Sequence, residues 1–229
     1  MPYLDFVYSP KSFSEVDNIF PELPRKTNSD TSKYALTHLE FAEKIKDLAG
    51  DGDIIEFGVC SGGTIVPIGK ANPERKVFGF DHFKGLEKSS QPTPDYAGWS
   101  EGAFRVGDPN NAWIPSTVQD VINRCSESPN IKIFVEDVHE MKDPSDYGIS
   151  KIGAVHIDLD IYEPTVSAFK FIDKCEWDEL YFRFDDWHGY EPDYDFHERK
   201  AFREWLENHK YRYEIYEDGL TAGAKVWKK

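Results

Sequence analysis

Three short apolar segments of this chain each end in chemistry, and that arrangement restricts the fold more than any other property of the sequence. Asp53-Ile-Ile-Glu-Phe-Gly-Val-Cys-Ser-Gly-Gly-Thr64 runs from an apolar stretch into a tight glycine turn. Val155-His-Ile-Asp-Leu-Asp160 and Tyr181-Phe-Arg-Phe-Asp-Asp-Trp187 end in Asp158, Asp160, Asp185 and Asp186. Continuous apolar runs bounded by turns suit strands covered on both faces, as in a parallel sheet wrapped by helices. In such a sheet the strand ends share one edge, and ligands bind along it.

The rest of the chain alternates accordingly. The spacing predicts a helix over 33–48, a strand over 54–59, a helix over 64–70 and a strand over 76–81. Residues 84–115, rich in Pro and Gly, read as a long lid-like insertion. A helix over 116–124 follows, with Ser116 as N-cap and Gln119 three residues on. Strands are expected over 131–135, 154–159 and 179–184, with a helix over about 164–175 between the last two and another over 198–208. The strands 211–216 and 224–227 close the chain as an antiparallel hairpin. The expectation is one α/β, doubly wound domain over 33–229, preceded by an irregular arm or lid over 1–32.

At 229 residues with 42 acidic and 27 basic side chains, the chain carries a formal charge of −15. That balance argues against nucleic acid or an anionic membrane as partner, because both require clustered Lys and Arg. No apolar run approaches the ~18 residues of a membrane span. The start, Met-Pro-Tyr-Leu-Asp-Phe-Val-Tyr-Ser-Pro, lacks the basic and apolar regions of a signal peptide. Cys60, Cys125 and Cys175 are too scattered for a disulfide framework or a metal motif. A cytoplasmic protein with reduced thiols is expected, with Cys60 a small packing residue rather than a nucleophile.

Gly58, Gly62 and Gly63, with Ser61 and Thr64, form a candidate cradle where main chain lies against a ligand. Their spacing departs from the Gly-x-Gly-x-x-Gly dinucleotide pattern. Glu56, two residues before Gly58, suits an ammonium or a water. Asp81 ends the second strand, where an acid accepts hydrogen bonds from ribose hydroxyls. An adenosine joined to an amino-acid tail accounts for both acids better than a dinucleotide does. Glu136 and Asp137 end the third strand and are candidates for an adenine amino group; ordinary strand-end acids are the alternative.

Asp158 and Asp160 face one side if their strand stays extended through both. The adjacent Asp185 and Asp186 converge on one ion only where their strand breaks. Four crowded carboxylates repel and push one another's pKa upward unless a cation intervenes. An all-oxygen set favours Mg²⁺, Ca²⁺ or Mn²⁺ over zinc. His156, flanked by apolar residues, reads as a satisfied core histidine. His188 is a second base candidate beside Asp160. Trp99, Phe104, Trp113, Tyr190 and Tyr194 fall in the loops and are candidates to stack on an acceptor or to pack on the domain.

Four segments carry a resemblance to a known family. Ile55-Glu-Phe-Gly-Val-Cys-Ser-Gly-Gly-Thr64, Gly79-Phe-Asp-His-Phe-Lys-Gly-Leu86, His156-Ile-Asp-Leu-Asp-Ile-Tyr162 and Asp185-Asp-Trp187 resemble successive motifs of the macrocin O-methyltransferase family. The similarity spans about 33–228. It implies a class I, Rossmann-like, seven-stranded sheet with an antiparallel C-terminal strand, and S-adenosylmethionine as methyl donor. It also implies a hydroxyl of a sugar or other natural-product scaffold as acceptor, and dimers or larger assemblies. By the same resemblance Asp158, Asp185 and Asp186 match ligands of Mg²⁺ or another divalent cation, and Asp160 a general base. The chain departs from the pattern at Trp187, where the family usually has Tyr, and at His197-Glu198, where it often has Gly-Cys. Two rival readings are an NAD(P)-dependent oxidoreductase, whose third glycine and Tyr-x-x-x-Lys set are missing here, and a non-catalytic nucleoside-binding module.

Overall fold

A computed structural model describes residues 38–93, 98–187, 195–216 and 221–228. The arm over 1–32, His188, Tyr190, Tyr194 and the tip of the closing hairpin lie outside these residues. In chain order the elements are α1 (His38–Leu48), β1 (Asp53–Phe57), α2 (Ile65–Ala71), β2 (Val77–Asp81), α3 (Val118–Cys125), β3 (Ile131–Val135), α4 (Pro144–Tyr147), β4 (Ile152–Ile157), α5 (Tyr162–Ile172), β5 (Glu179–Phe184), α6 (His197–His209), β6 (Arg212–Tyr216) and β7 (Ala222–Trp227). A 3₁₀ turn, Val138–Glu140, follows β3.

The strands form one seven-stranded sheet in the order β3-β2-β1-β4-β5-β7-β6. β1 pairs in parallel with β2 and β4, and β4 with β5. β7 runs antiparallel between β5 and β6. This is the doubly wound sheet expected from the alternation, with the antiparallel closing strand that the resemblance implies. Strand order reverses between β1 and β4, the switch point where such sheets leave a crevice.

Alternate residues of the central strands serve two cores. Ile55, Phe57, Val155, Ile157, Phe182 and Phe184 face one layer and meet Phe169 of α5 and Phe202 and Trp205 of α6. Phe169 stacks on Trp205 with ring centroids 4.8 Å apart, and Phe184 meets Phe202 at the same separation. On the opposite face Ile54, Val77, Ala154 and Tyr181 pack on Phe41 and Ile45 of α1 and on Ile65 and Ile68 of α2. Each such fully covered side chain stabilises the fold by about 1.5–3 kcal/mol. Because both faces are filled, the central strands β1, β4 and β5 read as apolar runs in sequence, interrupted within only by Glu56, His156 and Arg183.

Element ends shift by a few residues, β1 stopping at Phe57 rather than 59 and α5 running Tyr162–Ile172 rather than about 164–175, and three further details differ from the sequence reading. The helix expected to start from a Ser116 cap begins one residue later: Thr117 is the extended N-cap and accepts from the Asp120 amide at 3.2 Å. The short α4 was not anticipated; Asp143 and Asp146 box its N-terminus and Gly148 ends it in the left-handed conformation. β4 stops at Ile157 rather than 159, so Asp158 and Asp160 belong to the loop beyond the strand. No described helix is long and apolar enough to cross a membrane.

Candidate active site

At the C-terminal edge of the central strands opens a cavity of about 640 Å³. That lies within the roughly 300–1,000 Å³ usual for small-molecule sites. Its wall combines the loop after β1, the acids ending β2 and β3, and the aspartates after β4 and β5. Leu86, Trp99, Phe104 and Trp113 of the insertion close one side.

Gly58 turns the chain out of β1 with φ +86°, and a Cβ there would lie 1.7 Å from the Asp158 carbonyl oxygen. Only glycine combines that conformation with so close an approach. Past it, Asp81 ties the loop down: Oδ2 accepts from the Cys60 amide at 2.8 Å and Oδ1 from the Phe83 amide at 2.5 Å. Burial raises the Asp81 pKa despite these hydrogen bonds. Gly58, Ser61, Gly63, Thr64, Asp81 and Asp137 all line the cavity. Gly62 instead faces α3, where a Cβ would meet the Cys125 sulfur at 2.9 Å. Asp137 also caps the 3₁₀ turn, accepting from the His139 amide at 3.0 Å. Burial, with Asp81 adding repulsion, pushes the Cys60 thiol up to about 12, so no thiolate nucleophile forms at neutral pH.

Glu56 lies behind this wall, fully buried, with Oε2 3.2 Å from Nδ1 of His156. His156 in turn contacts the Arg183 guanidinium through Nε2. A guanidinium only donates, so Nε2 accepts and the ring proton sits on Nδ1, facing Glu56. Arg183 then reaches Asp185, Nη2 to Oδ1 at 2.5 Å. Glu56, His156 and Arg183 are register partners on β1, β4 and β5, so the row crosses the sheet beneath the cavity. Burial drives the Glu56 pKa well above the usual carboxylate range, and Arg183 opposes that shift.

The acids gather as carboxylates but not as the extended strand suggested. Asp160 adopts φ +60°, a left-handed conformation uncommon outside glycine. In that geometry Asp158, Asp160 and Asp186 each offer an oxygen within 4.8 Å of the others, a grouping able to hold a metal ion. Asp185 lines the same cavity while engaging Arg183. Desolvation and then the Asp185 charge raise Asp160 to about 7. Desolvation and the neighbouring carboxylates place Asp158 and Asp186 well above their ordinary values. Trp99 hydrogen-bonds the Asp160 side chain, which favours its ionised form.

Two further residues at this edge escaped the sequence reading as site residues, His197 and Glu198 at the start of α6. Glu198 is fully buried. One of its oxygens accepts from the Leu159 and Asp160 amides at 2.9 and 3.2 Å, and the other from the Asp186 amide at 3.3 Å. Burial raises Glu198 to about 8. His197 accepts the Tyr162 amide on Nδ1 at 3.2 Å, so Nε2 carries the proton and donates to the Pro92 carbonyl at 3.1 Å. Burial lowers its pKa to about 4. Its ring meets Trp99 edge-on at 5.3 Å. Ser90 on Glu163, Gln91 on Lys200 and Glu87 on His139 fasten the same insertion further. The sign of this pair in the sequence was the departure from Gly-Cys at 197–198.

No family model and no curated protein matches the sequence. Solved structures do resemble it in fold. CalS11, a calicheamicin methyltransferase, superposes with a TM-score of 0.56 at 20% identity over 97% of this chain and 95% of its own. The O-methyltransferase NovP gives 0.58 at 16% identity over 83% of this chain and 78% of its own. The apo form of CalS11, described as a TDP-rhamnose 3'-O-methyltransferase of calicheamicin biosynthesis, gives 0.52 at 17% identity and 98% of both chains. The chain thus shares the fold of these O-methyltransferases.

Proposed function

We propose that this protein is an S-adenosylmethionine-dependent O-methyltransferase that uses a divalent cation and acts on a hydroxyl of a small acceptor, a sugar or glycosylated natural product. The observation that carries the reading is a single cavity shared by the glycine loop after β1 and the carboxylates after β4 and β5. The fold neighbours, among them a sugar-nucleotide O-methyltransferase, point the same way.

The residues present fit both groups. Gly58, Ser61, Gly63 and Thr64 expose main chain for the methyl donor, and Gly62 supports them from the α3 side. Each Asp81 oxygen that accepts one amide keeps a second lone pair for a ribose hydroxyl. Asp137, beside Glu136, stands where an adenine amino group would be received. Glu56 supports the cradle from below. Three crowded carboxylates with raised pKa values are a donor set of hard oxygens suited to Mg²⁺ or Mn²⁺. Asp158, Asp186 and either Asp185 or Asp160 would hold that ion. When bound, a divalent cation lowers an alcohol's pKa and orients it.

Asp160, on the loop after β4 and facing the same cavity, would accept the hydroxyl proton as the acceptor oxygen takes the methyl group. Its partner Trp99 holds it oriented, and the insertion shields the cavity from water. Holding two reactants in one cavity can contribute roughly 7–11 kcal/mol through proximity alone. His188 is the alternative proton acceptor. The acceptor is a small molecule rather than nucleic acid or membrane, in keeping with the charge of −15, and the enzyme works in the cytoplasm.

The test is calorimetric binding of S-adenosylhomocysteine, followed by labelled-methyl transfer to a panel of sugar nucleotides with Mg²⁺ and with EDTA. Binding, and transfer lost in EDTA, are expected. Binding of NADH in place of S-adenosylhomocysteine would overturn the reading.

A further inference from the structure

We infer that Glu198 is the positioning residue of the carboxylate site. It acts as a clamp that holds the loops after β4 and β5 at the separation an ion requires. The consequence for ion binding rests on the reading above; the clamp itself rests on geometry alone.

Asp158 and Asp160 sit on one loop, and Asp185 and Asp186 on another, with no backbone ladder continuing between them past the β4–β5 register pair Ile157 and Phe184. The hydrogen bond from the Asp185 amide to the Ile157 carbonyl, 3.1 Å, is the last of the sheet at this point. Beyond it one buried carboxylate replaces the ladder. Glu198 reaches from the first turn of α6 and takes three amides, two from the first loop and one from the second. A carboxylate has about four acceptor positions, so a single side chain satisfies all three donors. The grip falls on the residue whose backbone needs it: Asp160 holds φ +60°, a conformation costing of order 1–3 kcal/mol outside glycine unless its surroundings enforce it. Leu159 and Asp160 are gripped directly, so the left-handed turn that swings the Asp160 carboxylate toward Asp158 and Asp186 is held from behind.

The neighbouring His197 makes the clamp answer to the insertion. From the same helix end it holds Pro92 through Nε2 and α5 through Nδ1, while Trp99 of that insertion contacts both its ring and the Asp160 side chain. One helix start therefore grips both acid loops and the segment that covers them. Glycine or cysteine at these two positions offers no such reach.

The experiment compares Glu198→Gln and Glu198→Ala with the wild type by amide hydrogen exchange, thermal unfolding, S-adenosylhomocysteine binding, and titration with Mn²⁺ alone. In Glu198→Ala, exchange should accelerate in peptides spanning 158–161 and 185–187 while those of β1 and β2 stay protected. Mn²⁺ binding should weaken by about 10–100-fold, the range for losing a group that orients metal ligands. S-adenosylhomocysteine affinity should stay within about twofold, and Glu198→Gln, whose amide oxygen still accepts, should fall between. Exchange unchanged in those two peptides would overturn the clamp, as would acceleration spread evenly over the sheet. A wild type that binds no Mn²⁺ refutes the ion reading, and the exchange result then decides the clamp by itself.

Discussion

The two halves of the cavity are built on the same device and yet differ in how they are held. At the cradle, Asp81 accepts amides from Cys60 and Phe83, one across a strand and one two residues on. At the acid end, Glu198 accepts amides from Leu159, Asp160 and Asp186, all supplied by loops of other elements. In both a carboxylate replaces sheet hydrogen bonds where strands give way to loops, half-buried at Asp81 and fully buried at Glu198. The cradle is secured from within its own βαβ unit. The acid end depends on a helix 38 residues farther along the chain than Asp160. A site secured locally is robust to change elsewhere, while one secured from a distance couples its chemistry to the helix that secures it.

The largest effect should come where the halves touch. Gly58→Ala places a methyl group against the Asp158 carbonyl at positive φ. It should cost roughly 1–3 kcal/mol of backbone strain and about 1–3 kcal/mol of overpacking, read by urea unfolding. Equal loss of cofactor and ion binding is expected; loss of only one would separate halves that share a backbone contact.

Next, Asp160→Asn should lower kcat by roughly 10²–10⁴-fold, the usual worth of a general base, with S-adenosylhomocysteine binding preserved. Full activity in this variant would move the base role to His188. Asp81→Ala should do the converse. Its two orphaned amides cost about 1–3 kcal/mol each, and S-adenosylhomocysteine binding should fall roughly tenfold or more, as for loss of a charged hydrogen-bond partner. Asp81→Asn should recover part of both, measured by calorimetry and thermal scans.

The smallest effect is a pH dependence confined to the acid end. Asp160 and Glu198 have folded-state values of about 7 and about 8, above the ordinary carboxylate range. The folded protein therefore holds protons that the unfolded chain has released, and stability falls as pH rises through that window. His197, lowered to about 4, opposes the fall slightly up to about a unit above its ordinary 6.5, where the unfolded chain still binds part of its proton, and adds nothing beyond that. Without metal, Tm should drop between pH 6.5 and 8, by about 2–4 °C per kcal/mol lost for a chain of this size. Mg²⁺ should restore more of it at pH 8. A Tm that climbs over that range in the metal-free protein would show that the acids are already compensated.

The same contrast explains what could be read from sequence. The strands and the closing hairpin were legible because both sheet faces are filled, so Ile54–Phe57 and Tyr181–Phe184 are apolar apart from Glu56 and Arg183. The place of Asp81 and Asp137 on the cavity wall was legible because acids ending strands fall on the ligand edge wherever the helices lie. The turn at Asp160 was not: alternation puts Asp158 and Asp160 on one face only in an extended strand, and the chain leaves that geometry at Ile157. Glu198 was not legible either, because its partners are backbone amides, which leave no residue-type signature. The Glu56–His156–Arg183 row was half visible. Each member reads as a polar interruption in an apolar strand, but only the register of β1, β4 and β5 makes them neighbours.

That register has a wider consequence. The cradle ends β1 and the first acid loop ends β4, and these strands are direct neighbours with Phe57 opposite Ile157. Adjacent strands lie about 4.7–4.9 Å apart, a spacing that no loop mutation alters. In the proposed enzyme the offset between donor and acceptor is thus gauged by the peptide backbone. New acceptors can be accommodated by redrawing the insertion while the reacting distance is inherited unchanged.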